Sequence, residues 1–207
     1  MSISGTTPST ASSTVEGIAI TSCGAYDPRP GDLAEYRLPV MVGGQRVKTI
    51  DVHCHCYVPE ALALCSADDV KAILPPVKGQ KEHFIVVEER LAGMDAMGID
   101  MEILSINPFW YRRERDNTVA LCRLQNDKLA ELCRANPERF GAFASLPLQF
   151  PELAIEELER AMQLGLRGAA IGGSVAGVDF SEPQFHPVWA KAEALGAVLF
   201  IHPQSTP

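Results

Sequence analysis

The sequence has no long apolar run and few basic residues. No stretch approaches the roughly 18 consecutive apolar residues that cross a bilayer, and the first residues carry neither the basic start nor the apolar centre of a secretory signal. We therefore expect a cytoplasmic protein with no membrane partner. The 18 Lys and Arg residues are outnumbered by 26 Asp and Glu residues, for a formal charge of −8. This charge argues against nucleic acid as a partner, because phosphate binding needs a basic surface.

The chain also lacks the cysteine spacing of a small disulfide-stapled scaffold. Its six cysteines are scattered through apolar segments, so we interpret them as reduced thiols. With 207 residues, of which 46% are hydrophobic and 21% charged, the chain has the composition of an ordinary globular protein and the length for a substantial core.

The first part of the chain differs in composition from the rest. Residues 1–14 are almost entirely Ser, Thr, Gly, Ala and Pro, which bury too little apolar surface to offset the entropy of ordering. We predict a mobile leader and linker over residues 1–35 and a small hairpin over residues 36–48, with Gly43 and Gly44 at its turn. The main domain then covers residues 49–207.

From Thr49 onward, apolar runs alternate with segments of helical periodicity, which is typical of a parallel α/β fold. The predicted strands are Thr49–His55, Met101–Ile106, Phe140–Leu146, Arg167–Ile171 and Ala197–His202. The predicted helices are Glu88–Met97, Thr118–Ala135, Pro151–Leu164 and Pro187–Leu195.

The spacing of these units bears on the architecture. Four units between Thr49 and Ala197 occupy 148 residues, or 37 each. Eight such units would need about 296 residues, near the upper part of the usual barrel range, whereas 159 residues are present from Thr49 onward. The chain is thus expected to be the N-terminal part of a TIM-type (β/α)8 barrel, with about five strands. An open five-stranded sheet is the alternative.

Two histidines lie at the end of the first predicted strand. In Asp51-Val52-His53-Cys54-His55 the side chains alternate, so His53 and His55 share one face and Cys54 the other. Two imidazoles on one strand face can chelate a metal, although one packed and one exposed histidine is an equally good interpretation of the motif alone. A zinc knot of both histidines and both cysteines is disfavoured, because the cysteines point away.

A third histidine closes the last predicted strand. His202 follows the apolar run 198–201 and precedes Pro203. Alone it is a weak signal, but the carboxyl ends of parallel barrel strands meet at one rim. His53, His55 and His202 would then supply three neutral nitrogen ligands to one divalent ion, with zinc expected and manganese as the alternative.

Several motifs resemble the amidohydrolase superfamily, specifically its amidohydrolase-2 branch, which includes aminocarboxymuconate-semialdehyde decarboxylase. The motifs that carry this resemblance are Asp51–His55, Arg90–Ile99, Asn136–Phe140 leading to Leu146-Pro147, Pro151–Ala154 and Phe200–Pro203. They stand in the family's order between Thr49 and Pro203.

The resemblance implies a (β/α)8 metal-dependent barrel with His53, His55 and His202 as metal ligands. It also implies a catalytic histidine at the sixth strand and a metal-binding aspartate at the eighth, neither of which falls within the chain. The end of the fourth strand, Ala170–Gly173, has no lysine or glutamate to bridge a second metal, which favours a single ion. The substrate-anchoring arginine of the aminocarboxymuconate enzymes has no match, which puts that substrate in doubt.

The loop after the second predicted strand supplies candidate substrate contacts. Asn107, Phe109 and Trp110 would fall on the rim, where aromatic side chains could wall the pocket for a planar acid. Packing of these aromatics against the next helix is an equally good interpretation.

The resemblance implies a metal-dependent nonoxidative decarboxylase of an unsaturated or aromatic carboxylic acid. The alternatives are a metal-dependent hydrolase on the same scaffold and an inactive fragment. We expect the 207-residue chain alone to bind a divalent metal weakly and to turn over nothing. The expected partner is a small carboxylic acid, with a homodimer as a further possibility.

Overall fold

The computed structural model describes residues 40–65 and 87–202 in full and residues 19–21 by their backbone. Most of the predicted leader and linker, Cys23 and Pro203 lie outside the described residues. Within the described part of the chain, no helix is both long and apolar enough to cross a membrane.

Short strands and longer helices alternate along the described chain. The strands are β1 (Ala19–Thr21), β2 (Met41–Val42), β3 (Gln45–Arg46), β4 (Ile50–Tyr57), β5 (Met101–Ser105), β6 (Phe140–Ala142), β7 (Gly168–Ile171) and β8 (Val198–Ile201). The helices are α1 (Pro59–Leu62), α2 (Val87–Met97), α3 (Arg115–Ala135), α4 (Pro151–Gln163) and α5 (His186–Leu195), and a 3-10 turn covers Pro183–Phe185.

The last five strands lie side by side in chain order. β4 pairs in parallel with β5, and β5 with β6, while β7 pairs in parallel with β8. A parallel bridge between Ala144 and Ala169 connects the two groups. The fold is therefore a mixed α/β fold with a parallel sheet, and the carboxyl ends of β4 to β8 point toward one edge.

The predicted strands and helices are confirmed, with shifts at their ends. β4 continues to Tyr57, whereas β6 stops at Ala142. α3 begins at Arg115 instead of Thr118, because the extended Glu114 precedes the helix and its carbonyl accepts the first helical hydrogen bond, from the Thr118 main-chain N–H 2.9 Å away. The short helix α1 was not predicted.

Two elements precede β4. β2 and β3 pair as an antiparallel hairpin, with Gly43 and Gly44 at positive φ in its turn. β1 lies within the range predicted as a leader and linker, and it pairs antiparallel with the end of β4. The open edge of β4 explains this pairing, because its unpaired main-chain groups accept a short apolar segment.

The core lies between the sheet and the helices. It includes Leu104, Phe140 and Leu146 from the sheet and the segments that follow its strands, and Leu129 and Leu158 from α3 and α4, all almost completely buried. The periodic apolar faces of these helices pack against the apolar strands. This packing leaves the opposite face of β4 available for polar side chains.

Candidate metal centre

β4 separates two chemically different faces. Cys54 and Cys56 are buried on the core side, whereas His53 is exposed and His55 half-buried on the other side. The alternation predicted from the sequence is thus present. Pairing with β5 shifts register between Asp51 and Cys54, which marks a β-bulge at this point.

His202 directly follows β8. Its main-chain N–H donates to the carbonyl of Ile171, 2.8 Å away, so the pairing of β7 and β8 continues to this residue. His202 Nε2 lies 3.1 Å from His53 Nε2, and His53 Nε2 lies 3.1 Å from His55 Nε2. One ligand nitrogen from each ring lies within 4.8 Å of the others.

The meeting of these rings requires a curved sheet. Three strands stand between β4 and β8 in the order given by the pairing. A flat sheet would hold β4 and β8 about 19 Å apart, which is farther than two imidazole side chains can bridge. The parallel sheet is therefore strongly curved, which brings its first and last strands together.

The surroundings of the cluster favour neutral imidazoles. Burial, followed by the nearby His202 and His53, lowers the pKa of His55 to about 4. Burial and His53 also lower the pKa of His202. A neutral imidazole keeps a lone pair on one ring nitrogen, which is the form that binds a metal.

Ser105 contacts the second ring nitrogen of His55. A hydrogen bond to the Ser105 backbone raises the pKa of His55 against the larger effect of burial, and the Ser105 hydroxyl lies 3.4 Å from His55 Nδ1. Such a bond at Nδ1 leaves Nε2 directed at the cluster. Ser105 was not singled out from the sequence, although it ends the strand next to β4.

An aromatic surface adjoins the cluster. Phe200 of β8 packs edge-on against His53, with ring centroids 5.5 Å apart, and Phe143 stacks on Phe200 at 5.5 Å and an interplanar angle of 12°. Both rings lie in the apolar parts of predicted strands, where the sequence alone does not separate packing residues from site residues.

The three predicted substrate contacts occupy different environments. Trp110 is fully buried, and its Nε1 donates to the carbonyl of Leu146, 2.8 Å away. This position favours the packing interpretation of Trp110, because a side chain without exposed surface does not wall an open pocket. Asn107 and Phe109 are half-buried, so they remain the candidates for substrate contact.

The structure combines an α/β fold, built on a parallel sheet, with a cluster of three histidines that could hold a metal ion. The family model described as Amidohydrolase, of the amidohydrolase-2 type, matches residues 50–206. The chain therefore belongs to the amidohydrolase-2 family, as its motifs suggested.

Several relatives carry out decarboxylations. The chain is 38% identical over 129 residues to a gamma-resorcylate decarboxylase of Rhizobium sp. (strain MTP-10005), which covers 58% of this chain and 39% of that protein. It is 36% identical over 117 residues to a 2-amino-3-carboxymuconate-6-semialdehyde decarboxylase of Dictyostelium discoideum, which covers 55% and 33%. The chain thus spans well under half the length of these relatives.

The solved structures that the chain resembles also include decarboxylases. A 2,6-dihydroxybenzoate decarboxylase complexed with 2,6-dihydroxybenzoate is 32% identical, with a TM-score of 0.66 over 77% of this chain and 52% of that one. A dihydroxybenzoic acid decarboxylase of Polaromonas sp. JS666, with bound manganese and the inhibitor 2-nitroresorcinol, is 29% identical, with a TM-score of 0.66 over 77% and 50%. The chain corresponds to about half of each.

Proposed function

We propose that the chain carries the first three ligands of a divalent-metal site in a nonoxidative decarboxylase of hydroxylated aromatic acids. The observation that carries the proposal is the convergence of His53, His55 and His202, which are supplied by the first and last described strands of the parallel sheet. The family assignment and the activities of the relatives support it.

The three residues fit a divalent ion. On a tetrahedral zinc ion with Zn–N distances of about 2.0–2.1 Å, ligand nitrogens lie about 3.3–3.4 Å apart, close to the two separations of 3.1 Å in the cluster. The donors are imidazoles, which suit both zinc and manganese. A divalent ion held there would act as a Lewis acid that polarises a bound oxygen atom.

The aromatic surface suits a planar acid. Phe200 and the stacked Phe143 lie beside His53, where a flat ring can pack against apolar carbon. Asn107 and Phe109, in the loop after β5, are proposed to contact the substrate from the rim. In the reaction the bond between ring and carboxylate breaks, its electron pair stays on the ring carbon, that carbon takes a proton, and CO2 leaves. No redox cofactor is needed.

The metal site is tested first with the 207-residue chain. In equilibrium dialysis against increasing MnCl2 or ZnCl2, we expect binding to saturate at close to one metal ion per chain, and EDTA to remove it. A chain that binds neither ion at millimolar concentration contradicts the proposed site.

The activity is tested by CO2 release from 2,6-dihydroxybenzoate and related hydroxybenzoates. Because the aligned part of the chain covers only 39% of the gamma-resorcylate decarboxylase and 52% of the 2,6-dihydroxybenzoate decarboxylase structure, the assay uses both the 207-residue chain and the complete product of its reading frame. We expect metal-dependent CO2 release from the complete product and little or none from the 207 residues alone. Acid release from esters or amides, without CO2 from any acid of the panel, would favour the hydrolase alternative and overturn the decarboxylase.

A further inference from the structure

We propose that Arg90 and Glu102 are positioning residues for the histidines of β4. Their buried ion pair, hydrogen-bonded to the thiol of Cys54, fixes the rotation of the strand that aims His53 and His55 at His202. This inference rests on the metal site proposed above and assigns a role to two charged residues that do not touch it.

The ion pair lies directly behind the histidines. Arg90 Nε, on α2, donates to Glu102 Oε2 at 2.8 Å, and Arg90 Nη2 lies 2.5 Å from Oε1. Glu102, on β5, has no exposed surface, and Arg90 retains little. One hydrogen bond and a second, ion-pair contact therefore connect α2 and β5 at one place on the core side of the sheet.

Cys54 connects the ion pair to the metal ligands. Its thiol donates to Glu102 Oε2 at 3.1 Å, and Arg90 Nη2 lies 3.4 Å from the same sulfur. Cys54 stands between His53 and His55 and points to the opposite face of β4. A rotation of β4 that moved Cys54 away from Glu102 would therefore turn both imidazoles away from His202.

The strand needs such a constraint at this point. Asp51 pairs with Glu102, but Cys54 pairs with Leu104, so three steps on β4 match two on β5. Within this bulge the Asp51 carboxylate accepts a hydrogen bond from the His53 main-chain N–H, 2.9 Å away. A bulge interrupts the regular ladder of main-chain hydrogen bonds. The contact of Cys54 with Glu102, immediately after the bulge, therefore sets the direction of the neighbouring side chains.

Stability alone does not account for a buried pair of charges. The desolvation of two ions usually cancels their attraction, and replacement of both by apolar residues is often neutral for folding. A fixed geometry is what such a pair supplies beyond an apolar contact. The pair of Arg160 and the buried Glu157, 2.8 Å apart on α4, serves as the control. Glu157 also accepts a hydrogen bond from Asn126 Nδ2 on α3, 2.6 Å away, so removal of the control pair disturbs more contacts.

The test compares two double variants, because a single substitution would leave one charge buried and unpaired. Arg90→Met with Glu102→Leu removes the pair behind β4, and Arg160→Met with Glu157→Leu removes the control pair. For each we would measure the urea unfolding midpoint, the affinity and visible spectrum of bound Co2+, and the imidazole 15N signals of the metal-free chain.

We expect the first double variant to fold, to bind Co2+ about 10- to 100-fold more weakly with a changed visible spectrum, and to show changed imidazole signals for His53 and His55. The control variant should keep wild-type Co2+ affinity and imidazole signals, even where its unfolding midpoint falls further. Equal Co2+ affinity in the wild type and the first variant would overturn the positioning role. The positioning role would also be overturned if Co2+ affinity fell in proportion to the unfolding midpoint in both double variants.

The thiol link has its own test. Cys54→Ser keeps a donor to Glu102 and should bind Co2+ nearly as the wild type does, whereas Cys54→Ala should bind severalfold more weakly. Equal affinities for the two variants would overturn the link and with it the proposal. A wild-type chain that binds no Co2+ would instead contradict the proposed metal site, and the imidazole signals would then decide the positioning role without any metal.

Discussion

His202 Nε2 lies 3.1 Å from His53 Nε2, although 149 residues separate them in the chain. The contact depends on every strand between them, because β4 and β8 meet only through the curvature of the sheet. The proposed metal site thus depends on the whole described parallel sheet, even though two of its three proposed ligands lie in one short motif.

Substitution of His202 tests this long-range contribution. His202→Ala should lower Mn2+ affinity by more than about 100-fold, since removal of a direct ligand costs more than removal of an outer contact. The wild-type melting temperature should rise with added Mn2+, because an ion that binds only the folded chain stabilises it; that of the variant should not. Calorimetric titration measures the Mn2+ affinity, and thermal melts with and without Mn2+ measure the change in melting temperature.

The matched control is His186→Ala. His186 lies at the start of α5, where its Nε2 is 3.1 Å from the Ser181 carbonyl, so its loss should leave Mn2+ binding unchanged. Equal Mn2+ affinity in His202→Ala and the wild type would remove His202 from the site.

Gly168 tests the strand pair that carries His202. Its φ of +140° is a conformation that other residues rarely adopt, and a Cβ there would overlap the main-chain oxygen of Val198 in β8. Gly168→Ala should therefore destabilise the chain by more than about 2 kcal/mol and weaken Mn2+ binding as β8 shifts. Urea unfolding and metal titration measure the two effects.

A helical glycine provides the comparison. Nothing lies within 4 Å of a Cβ at Gly93 in α2, so Gly93→Ala should leave stability unchanged or raise it by about 0.5–1 kcal/mol. A Gly168→Ala chain as stable as Gly93→Ala would contradict the close approach of β7 and β8.

Much of the fold can be predicted from the sequence, because most of the parallel strands are mainly apolar runs and α3 and α4 have periodic apolar faces. β1 escaped prediction, since three residues in a polar leader show no periodicity. The end of β6 was also misplaced. The residues after Ala142 stay apolar and buried, but Ala144 bonds to Gly168 outside the regular ladder.

The candidate site also contains both residues that the sequence predicts and residues that it does not. Alternation along a strand places His53 and His55 on one face without further information, and His202 follows from the common rim of parallel strands. The ion pair of Arg90 and Glu102 does not follow, because it depends on how α2 packs against β5. Such a contact joins residues from two separate elements, so the local sequence around either residue does not predict it.

The thiols provide a test of the core. Burial raises the pKa values of Cys54, Cys56 and Cys122 well above the ordinary range. Because the thiolate is the reactive form, iodoacetamide at pH 8 should leave these three residues unmodified in the folded chain and modify them in urea. Peptide mass spectrometry measures this. Rapid modification of Cys54 in the folded chain would contradict its place behind β4.

Cys133 should show a distinct pH dependence. Burial raises its pKa to about 12, against smaller opposite effects from Arg167 and Arg134. A raised thiol pKa means that the thiolate is scarce at neutral pH, so the alkylation rate should still rise about tenfold per unit between pH 8 and 10. Glutathione, as the control, should level off near pH 9. A plateau for Cys133 in that range would show an ordinary, exposed thiol.

Trp110 distinguishes a packing residue from a substrate contact. Because Trp110 is fully buried and donates to the Leu146 carbonyl, which also accepts from the Leu148 N–H, Trp110→Phe removes one of two hydrogen bonds to that carbonyl and leaves a void in the core. It should cost about 1–3 kcal/mol of unfolding free energy. The half-buried Trp189, whose Nε1 donates to Phe180 at 3.1 Å, gives the control: Trp189→Phe should cost less, since water can replace the lost bond. Unfolding in urea, followed by circular dichroism, measures both. A Trp110→Phe chain with wild-type stability would return Trp110 to the candidate wall of the pocket.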